Sequence, residues 1–318
     1  MAERSEPTGL PASGPPVVYR LHSGLGNQLF EFAAAYAVAR RLDAPLRHDP
    51  YKSEDRALAL CIGLLWQPAT HADLARAAAT RTGGLDRWRG AARRRAWTLG
   101  ERLGRSPHRF ALPEASEASE ASEAFAYDPR FERLVAPCYL RGYFQDLGYF
   151  DTVLDDVVEI LIDNLQIPPP DPRGSVVALQ FRVADEYRQL GWTLAEPHYA
   201  AALEVVAAEI ADPMIRVLCD DDTFRSYAER WAVASGFVVD DSPRPEQHPD
   251  PVVNALIEAA RCNHGVMSNS TFSWWGAVLG DHLSGASPRL VVYPSGWVGQ
   301  PAHLARSTWR VLPSTLNP

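Results

Sequence analysis

Short apolar runs alternate with longer amphipathic segments throughout residues 175–293, and this alternation constrains the fold more than any other feature. Short buried runs are typical of strands, whereas apolar residues spaced three and four apart are typical of helices. The predicted strands are Ser175–Phe181, Ile215–Cys219, Phe237–Val239, 264–267 and Leu290–Tyr293. The predicted helices are 196–211, 223–235, 251–262 and 271–279. This alternation predicts an α/β domain with a parallel, doubly wound sheet.

The first half of the chain begins in the same way. Val17–Leu21 is a short apolar run, a glycine loop follows it, and an apolar stripe then indicates a helix to about Leu42. Residues 71–105 are rich in Ala and Arg with helical spacing, which favours exposed helices. Their run Arg93–Arg95 is expected to form a solvated face.

Low-complexity and proline-rich segments mark the expected domain limits. The leader, residues 1–16, is expected to be disordered, and the Glu-Ala-Ser repeats of residues 114–123 bury too little apolar surface to join a core. Residues 167–174 hold four prolines, which stiffen the chain and end any helix. A chain of 318 residues can form about two domains. We therefore expect an N-terminal domain over 17–167 and a C-terminal domain over 173–318.

Composition excludes some classes of function. Lys and Arg total 31 against 39 Asp and Glu, so a formal net charge of −8 would repel a phosphate backbone, and no nucleic-acid partner is expected. The four cysteines form neither a CxxC pair nor a zinc-type cluster with histidine, which favours a reducing compartment. No apolar run reaches the roughly 18 to 20 residues of a membrane span. The expected location is the cytoplasm, and peripheral association with the inner face of the membrane is an alternative.

Polar residues follow three of the predicted strands. In an open parallel sheet the ligand binds at the carboxyl ends of the strands, so these residues are the candidate site. They are Arg182 with Asp185 and Glu186, then Asp220, Asp221 and Asp222, and finally Ser268, Asn269, Ser270 and Thr271.

The group Ser268–Thr271 suits a phosphate best. Small hydroxyl and amide side chains stand there at a helix start, whose free backbone N–H groups and positive dipole end attract anions. An ordinary helix cap explains the serines equally well. Arg182 has its own alternatives, an exposed surface position or an ion pair with Asp185. Asp220 and Asp222 could hold a divalent cation on a nucleotide diphosphate, or form part of a solvated acidic turn.

Four segments resemble glycosyltransferase family 11, the alpha-1,2-fucosyltransferases, and they occur in that family's order. They are GLGNQLFEFAAAYAVA at 24–39, GYFQDLGYF at 142–150, VLCDDDTFRSY at 217–227 and SNSTFSWWGA at 268–277. The resemblance implies a GT-B-like α/β fold of two facing Rossmann-like domains with a cleft between them. It also implies a GDP-fucose donor held mainly by the C-terminal domain, inversion at the sugar carbon, and no cofactor or metal.

The family's donor motif, His-x-Arg-Arg-x-Asp, is only partly present in the stretch from Gln180 to Asp185. Arg182 matches the first arginine, which the resemblance assigns to the donor pyrophosphate, and Asp185 matches the acid. Gln180 replaces the histidine and Val183 replaces the second arginine. Because one charge-assisted hydrogen bond contributes about 1.5 to 3 kcal/mol, this loss should weaken donor binding by roughly tenfold or more.

The resemblance also places other residues in the donor site. Asp220 or Asp221 is expected to bind the donor base or ribose, and the serines of 268–271 are expected to join Arg182 in offsetting charge on the leaving phosphate. Gly26, Asn27 and Gln28 of the glycine loop are expected to bind phosphate or acceptor. The alternative for that loop is a tight turn that needs the positive φ of glycine.

An inverting transfer also needs a general base for the acceptor hydroxyl, and Asp185 and Glu186 are the candidates. The leading hypothesis is transfer of L-fucose from GDP-fucose to the 2-hydroxyl of a galactoside, so the partners are a nucleotide-sugar donor and a glycan or glycoside acceptor. Three rivals remain. They are the same scaffold with another donor, a catalytically silent GDP- or glycan-binding relative, and a metal-dependent enzyme of the GT-A class.

Overall fold

The computed structural model describes residues 9–50, 57–77, 109–111, 126–242, 248–297 and 304–316. The chain divides into two compact units, the first ending at Ile160 and the second beginning at Leu161. The predicted proline-rich linker lies within the second unit. Residues 1–8, most of the predicted helical stretch 71–105 with Arg93–Arg95, and the repeats of 114–123 lie outside the described residues.

The first unit contains a four-stranded parallel sheet with the order β2-β1-β4-β3. Its strands are β1 (Val17–Tyr19), β2 (Leu46–His48), β3 (Arg109–Ala111) and β4 (Cys138–Arg141). Its helices are α1 (Leu25–Leu42), α2 (Ala57–Ile62) and α3 (His71–Arg76), and α4 (Leu154–Leu165) contains the point of division. Short 3-10 helices span Gly63–Leu65, Pro129–Arg133, Leu147–Tyr149 and Asp151–Val153.

Helix α1 is buried along most of its length, as its apolar stripe predicts. It ends at Leu42, where Asp43 adopts a left-handed conformation (φ 46°) and its backbone N–H bonds the carbonyls of Ala39 and Arg40. Before the helix, the positive φ lies at Ser23 (57°), while Gly24 has a φ of −78°. The loop therefore does not use Gly24 for a left-handed turn, because Ser23 is the residue with the positive φ.

The second unit contains a six-stranded parallel sheet with the order β10-β9-β8-β5-β6-β7. Its strands are β5 (Val176–Phe181), β6 (Met214–Cys219), β7 (Val238–Val239), β8 (His264–Val266), β9 (Val291–Pro294) and β10 (Arg310–Leu312). Its helices are α5 (Asp185–Gln189), α6 (Glu196–Glu209), α7 (Asp222–Ala234), α8 (Pro251–Arg261) and α9 (Thr271–Ser284). If β5 is counted as the first strand of the unit, the order is 6-5-4-1-2-3, which is the order of the dinucleotide-binding α/β fold. The order reverses between β5 and β8.

The predicted α/β class is confirmed, because each unit forms a parallel sheet. In the second unit the predicted strands and helices agree with the observed ones to within a few residues. The sequence missed β2, β3, β4 and β10, and also helices α2, α4 and α5. These strands have three or four residues each, too few to show a hydrophobic period.

Helices α8 and α9 pack closely at Gly276, where a Cβ atom would lie 2.8 Å from the Cβ of Ala259. Gly276→Ala is expected to destabilise the second unit, because overpacking costs typically about 1–3 kcal/mol and outweighs the gain in helix propensity of about 1 kcal/mol. Urea denaturation measures the change. Adding Ala259→Gly should recover part of the loss by restoring the space. A Gly276→Ala variant as stable as the natural chain would contradict this packing.

Candidate functional site

Arg182 stands directly after β5, at the carboxyl end of the sheet in the second unit. Its Nη1 lies 2.5 Å from Oδ2 of Asp220, and its Cζ lies 4.7 Å from the centre of the Tyr187 ring. The predicted alternative partner, Asp185, is not the carboxylate that pairs with it in the structure. The Arg182 side chain is 34% exposed, so the ion pair and the ring fix the guanidinium while part of it stays accessible to a ligand.

Asp220 follows β6 and holds the loop that contains Arg182. Besides that ion pair, it accepts the backbone N–H of Val183 at 2.9 Å and the backbone N–H of Ala184 at 3.3 Å. Both carboxylate oxygens are therefore already engaged by donors from the same loop. The sequence predicted a contact to donor base or ribose, and the structure gives Asp220 a positioning role that a sequence pattern does not show.

The other predicted acidic residues lie around Arg188. Asp221 caps α7 by accepting the Phe224 N–H at 2.7 Å and lies 3.2 Å from Arg188. The Phe224 N–H and Arg188 both lower the pKa of Asp221. Asp185 is 86% exposed and lies 3.7 Å from Arg188, and Asp222 is also exposed. Glu186 lies in α5, but its side chain is outside the described residues.

The start of α9 is buried, although it is rich in polar side chains. Ser270 is an ordinary cap whose Oγ accepts the Phe272 N–H. Ser268 differs, because its Oγ lies 2.7 Å from Oγ of Ser273. Asn269 is 2% exposed and donates through Nδ2 to the Trp192 carbonyl at 2.7 Å. Its Oδ1 has no hydrogen-bond partner among the described residues, and a buried oxygen of this kind is costly unless something binds it.

Arg182 and the start of α9 lie at the same edge of one sheet, on neighbouring strands. Strands β5 and β8 pair in parallel with Leu179 opposite Val266, so Arg182 and Asn269 each stand three residues beyond that pair. Neighbouring strands are about 4.8 Å apart. This pair of strands is also where the strand order reverses, which is the usual position of the ligand crevice in open α/β sheets. The arrangement places a guanidinium and a helix N-terminus at the same edge of the sheet.

A pocket of about 670 Å³ begins at the loop that carries Arg182 and extends between the sheet and helices α6 and α7. Aromatic side chains line much of it, together with one charged group of each sign. The lining residues are Phe181, Val183, Arg188, Thr193, Leu194, Glu196, Tyr199, Phe224, Tyr227, Ala228 and Trp231. The sequence did not single out this pocket. The spacing of Phe224, Tyr227 and Trp231 along α7 was the available signal, because it places three rings on one helix face.

The glycine-loop residues lie in the first unit, in the first turn of α1. Gly26 is buried, and Asn27 accepts the Gln145 side-chain N–H at 3.1 Å through Oδ1. Gln28 donates to the Ser23 carbonyl at 2.8 Å, and its buried Oε1 has no hydrogen-bond partner among the described residues. The structure therefore ties Asn27 and Gln28 to the fold, with one side-chain oxygen of Gln28 unused.

The sequence also missed a pair of ionisable side chains beside this loop. Glu31 is fully buried in α1, where its Oε2 accepts the backbone N–H of His22 at 2.9 Å and its Oε1 lies 2.8 Å from His22 Nδ1. Burial raises the pKa of Glu31 well above its usual range, although the His22 N–H and Arg20 oppose the shift. The available signal was an acidic residue within an otherwise apolar helix segment.

Among the described residues, no group of three or more His, Cys, Asp or Glu side chains is placed to hold a metal ion. Within the same part of the chain, none of the helices has both the length and the apolar character needed to cross a membrane.

No protein-family model and no curated protein matches the chain. Several solved structures resemble it. A mutant of Arabidopsis thaliana FUT1 in complex with GDP has a TM-score of 0.48 at 13% identity, covering 86% of this chain and 70% of that chain. E. coli heptosyltransferase WaaC with ADP has a TM-score of 0.44 at 13% identity over 94% of this chain and 93% of its own. POFUT1 in complex with GDP-fucose has a TM-score of 0.40 at 15% identity over 90% of this chain and 98% of its own.

Proposed function

We propose that the chain is an inverting glycosyltransferase that moves L-fucose from GDP-fucose to the 2-hydroxyl of a galactoside. The observation that carries the proposal is the placement of Arg182 and the α9 start at the carboxyl ends of β5 and β8. Such an edge suits the diphosphate of an activated sugar. The resemblance of the four segments to family 11 is the basis for naming the sugar (L-fucose), the nucleobase of the donor (guanine) and the acceptor.

The chemistry required of this edge is stabilisation of a leaving phosphate. When the bond from fucose to GDP breaks, negative charge grows on the β-phosphate, and fixed donors lower the barrier if they already point at it. Arg182 supplies a guanidinium that Asp220 holds in place. The first turn of α9 supplies backbone N–H groups and the positive end of the helix dipole. Residues in these roles require neither a metal nor a cofactor.

The aromatic pocket is the place we assign to the nucleoside of the donor. It adjoins the Arg182 loop through Phe181 and Val183, and the rings of Phe224 and Tyr227 offer surfaces on which a purine can stack. Val183 stands where the family motif has a second arginine, and it is buried in the pocket wall. Here the chain offers apolar contact in place of a second positive charge.

The departure at Val183 and Gln180 supports one rival, the same scaffold with a different nucleotide sugar. Both side chains are buried close to the proposed donor site, at 7% and 4% exposure. A change of charge and shape there would alter which donor binds. Pockets typically distinguish ligands that differ by one group by about 10- to 200-fold, so a panel of donors separates the two possibilities.

Purified protein with lactose as acceptor should release GDP from GDP-fucose at least about tenfold faster than from GDP-mannose. Treatment with EDTA should leave this rate unchanged, because Arg182 and the helix N-terminus replace a cation. Detection of released GDP, with mass analysis of the sugar product, measures both effects. Release from GDP-mannose alone would assign another donor. Tight GDP binding by calorimetry without turnover would favour the silent relative, and rescue of an EDTA-treated sample by manganese would favour the metal-dependent class.

A further inference from the structure

Arg188 is a second guanidinium at the carboxyl edge of the second unit's sheet. Its Nη2 lies 3.2 Å from Oδ2 of Asp221, and the preceding residue, Asp220, holds Arg182. Both aspartates follow β6, and neighbouring Cα atoms along a chain are about 3.8 Å apart. The edge therefore carries two guanidinium groups, each held by one of two adjacent carboxylates.

Backbone hydrogen bonds fix the position of Arg188 relative to Arg182. The Arg188 N–H bonds the Ala184 carbonyl at 3.2 Å, and the Ala184 N–H bonds Oδ2 of Asp220 at 3.3 Å. The same Asp220 oxygen accepts from the Arg182 guanidinium. Both arginines therefore belong to one loop that Asp220 ties together.

The Arg188 side chain keeps donors for a ligand. A guanidinium has five N–H donors, and Asp221 accepts from one terminal nitrogen at 3.2 Å. The exposed carboxylate of Asp185 lies 3.7 Å away, beyond ordinary hydrogen-bond distance. Arg188 is 45% exposed, and it is the only cation among the described residues that line the aromatic pocket. A phosphate next to the pocket can therefore contact this guanidinium.

The groups along this edge follow the order of the parts of a nucleotide sugar. The start of α9 follows β8, Arg182 follows β5, and Asp221, which holds Arg188, follows β6. These three strands are neighbours in the sheet. Arg188 is among the described lining residues of the pocket, whereas Arg182 is not. In a nucleoside diphosphate sugar the α-phosphate carries the nucleoside and the β-phosphate carries the sugar. Arg188 thus stands on the nucleoside side of Arg182.

We propose that Arg188 binds the α-phosphate of the donor, while Arg182 acts on the β-phosphate. The proposal rests on the proposed function and deepens it, because it divides the diphosphate between two residues. The bond that breaks joins the sugar to the β-phosphate, so charge develops mainly next to Arg182. A contact to the α-phosphate is about equally strong before and during that step, and it therefore contributes to binding more than to kcat. A second positive charge reaches the site from α5, although Val183 carries none.

Binding of guanosine, GMP and GDP tests the assignment without turnover. In calorimetry, Arg188→Ala should weaken GMP and GDP by about tenfold or more, since a charge-assisted hydrogen bond is lost. NMR titration with guanosine, which has no phosphate, should give the natural affinity. Arg182→Ala should weaken GDP and spare GMP. Arg230→Ala removes an exposed arginine of α7 that is not among the pocket's described lining residues, and as the matched control it should bind all three ligands normally.

Steady-state kinetics should show the same division. Arg188→Ala should raise KM for GDP-fucose by about tenfold and leave kcat nearly unchanged, which is the result of losing a uniform binding contact. Arg188→Gln, whose amide can still donate to Asp221, gives the same comparison if the alanine variant fails to fold.

The outcomes separate this proposal from the proposed function. Natural GMP affinity in Arg188→Ala would overturn the α-phosphate contact. Equal weakening of guanosine and GMP would also overturn it, because Arg188 would then only shape the pocket. Selective weakening of GMP and GDP in a protein that transfers no fucose would support the contact and contradict the proposed transfer. A natural chain that binds none of the three ligands would overturn both.

Discussion

Replacing Arg182 by alanine is expected to lower kcat for GDP-fucose turnover by about a hundredfold or more, because the variant loses a fixed donor to the leaving phosphate. The guanidinium stands at the end of β5, held by Asp220 and by the Tyr187 ring, so little reorganisation is needed when charge develops. An interaction that strengthens as the bond breaks acts mainly on kcat. The loss should therefore exceed the rise in KM for the donor.

Two further variants show whether the loss is specific to the Arg182 guanidinium. Arg182→Lys retains the charge but not the planar fork, so it should recover only part of the activity. Arg310→Ala removes an exposed arginine of the same unit that pairs with Glu209, and it should turn over normally. Single-turnover and steady-state release of GDP measure all three. Near-normal kcat in Arg182→Ala would remove the guanidinium from the mechanism.

The second unit was predictable because its pattern is strong. Strands β5 and β6 have six residues each, and β5 is buried throughout. Such runs are visible against the helices between them. In the first unit β1 and β2 have three residues and β4 has four, and these strands are held by partners far along the chain. Their pairing is tertiary information, which a local sequence pattern does not contain.

The part of the candidate site that follows directly after strands was predictable from the sequence. The rule for strand ends selected Arg182 and Ser268–Thr271, and the register of β5 with β8 places them at one edge. The same rule selected Asp220, but it could not show that loop N–H groups take up its carboxylate oxygens. The partnership of His22 with Glu31 links two residues nine positions apart across a loop–helix junction, so it also required the fold.

A buried ionic network joins the proline-rich segment to the outer strands of the second sheet. Arg173 donates to both carboxylate oxygens of Asp240 at 3.0 Å and also pairs with Asp171 at 2.7 Å. Arg216 of β6 and Ser242 bond the same Asp240 carboxylate. Arg216 and Asp240 are each 7% exposed. Asp240 is the carboxylate nearest to the Arg216 guanidinium, and the carboxylates of Asp171 and Glu258 each lie 3.9 Å from it.

Asp240→Ala is therefore expected to cost about 3 kcal/mol of stability at neutral pH, because the buried Arg216 guanidinium loses its nearest carboxylate and keeps only Asp171 and Glu258, both at 3.9 Å. Burial alone would raise the pKa of Asp240, but hydrogen bonds from Arg173, Ser242 and Arg216 outweigh it and hold the pKa well below its usual range. A carboxyl group with a lowered folded-state pKa stabilises the fold fully above its unfolded pKa of about 3.9. That contribution is lost as pH falls through the folded pKa. The difference in free energy of unfolding between the natural chain and Asp240→Ala should therefore narrow below about pH 4.

Urea denaturation across pH measures this gap, with Asp241→Ala as the control at an exposed neighbouring carboxylate. A gap that stays constant down to the lowest pH at which the natural chain folds would mean that the Asp240 charge does not stabilise the sheet.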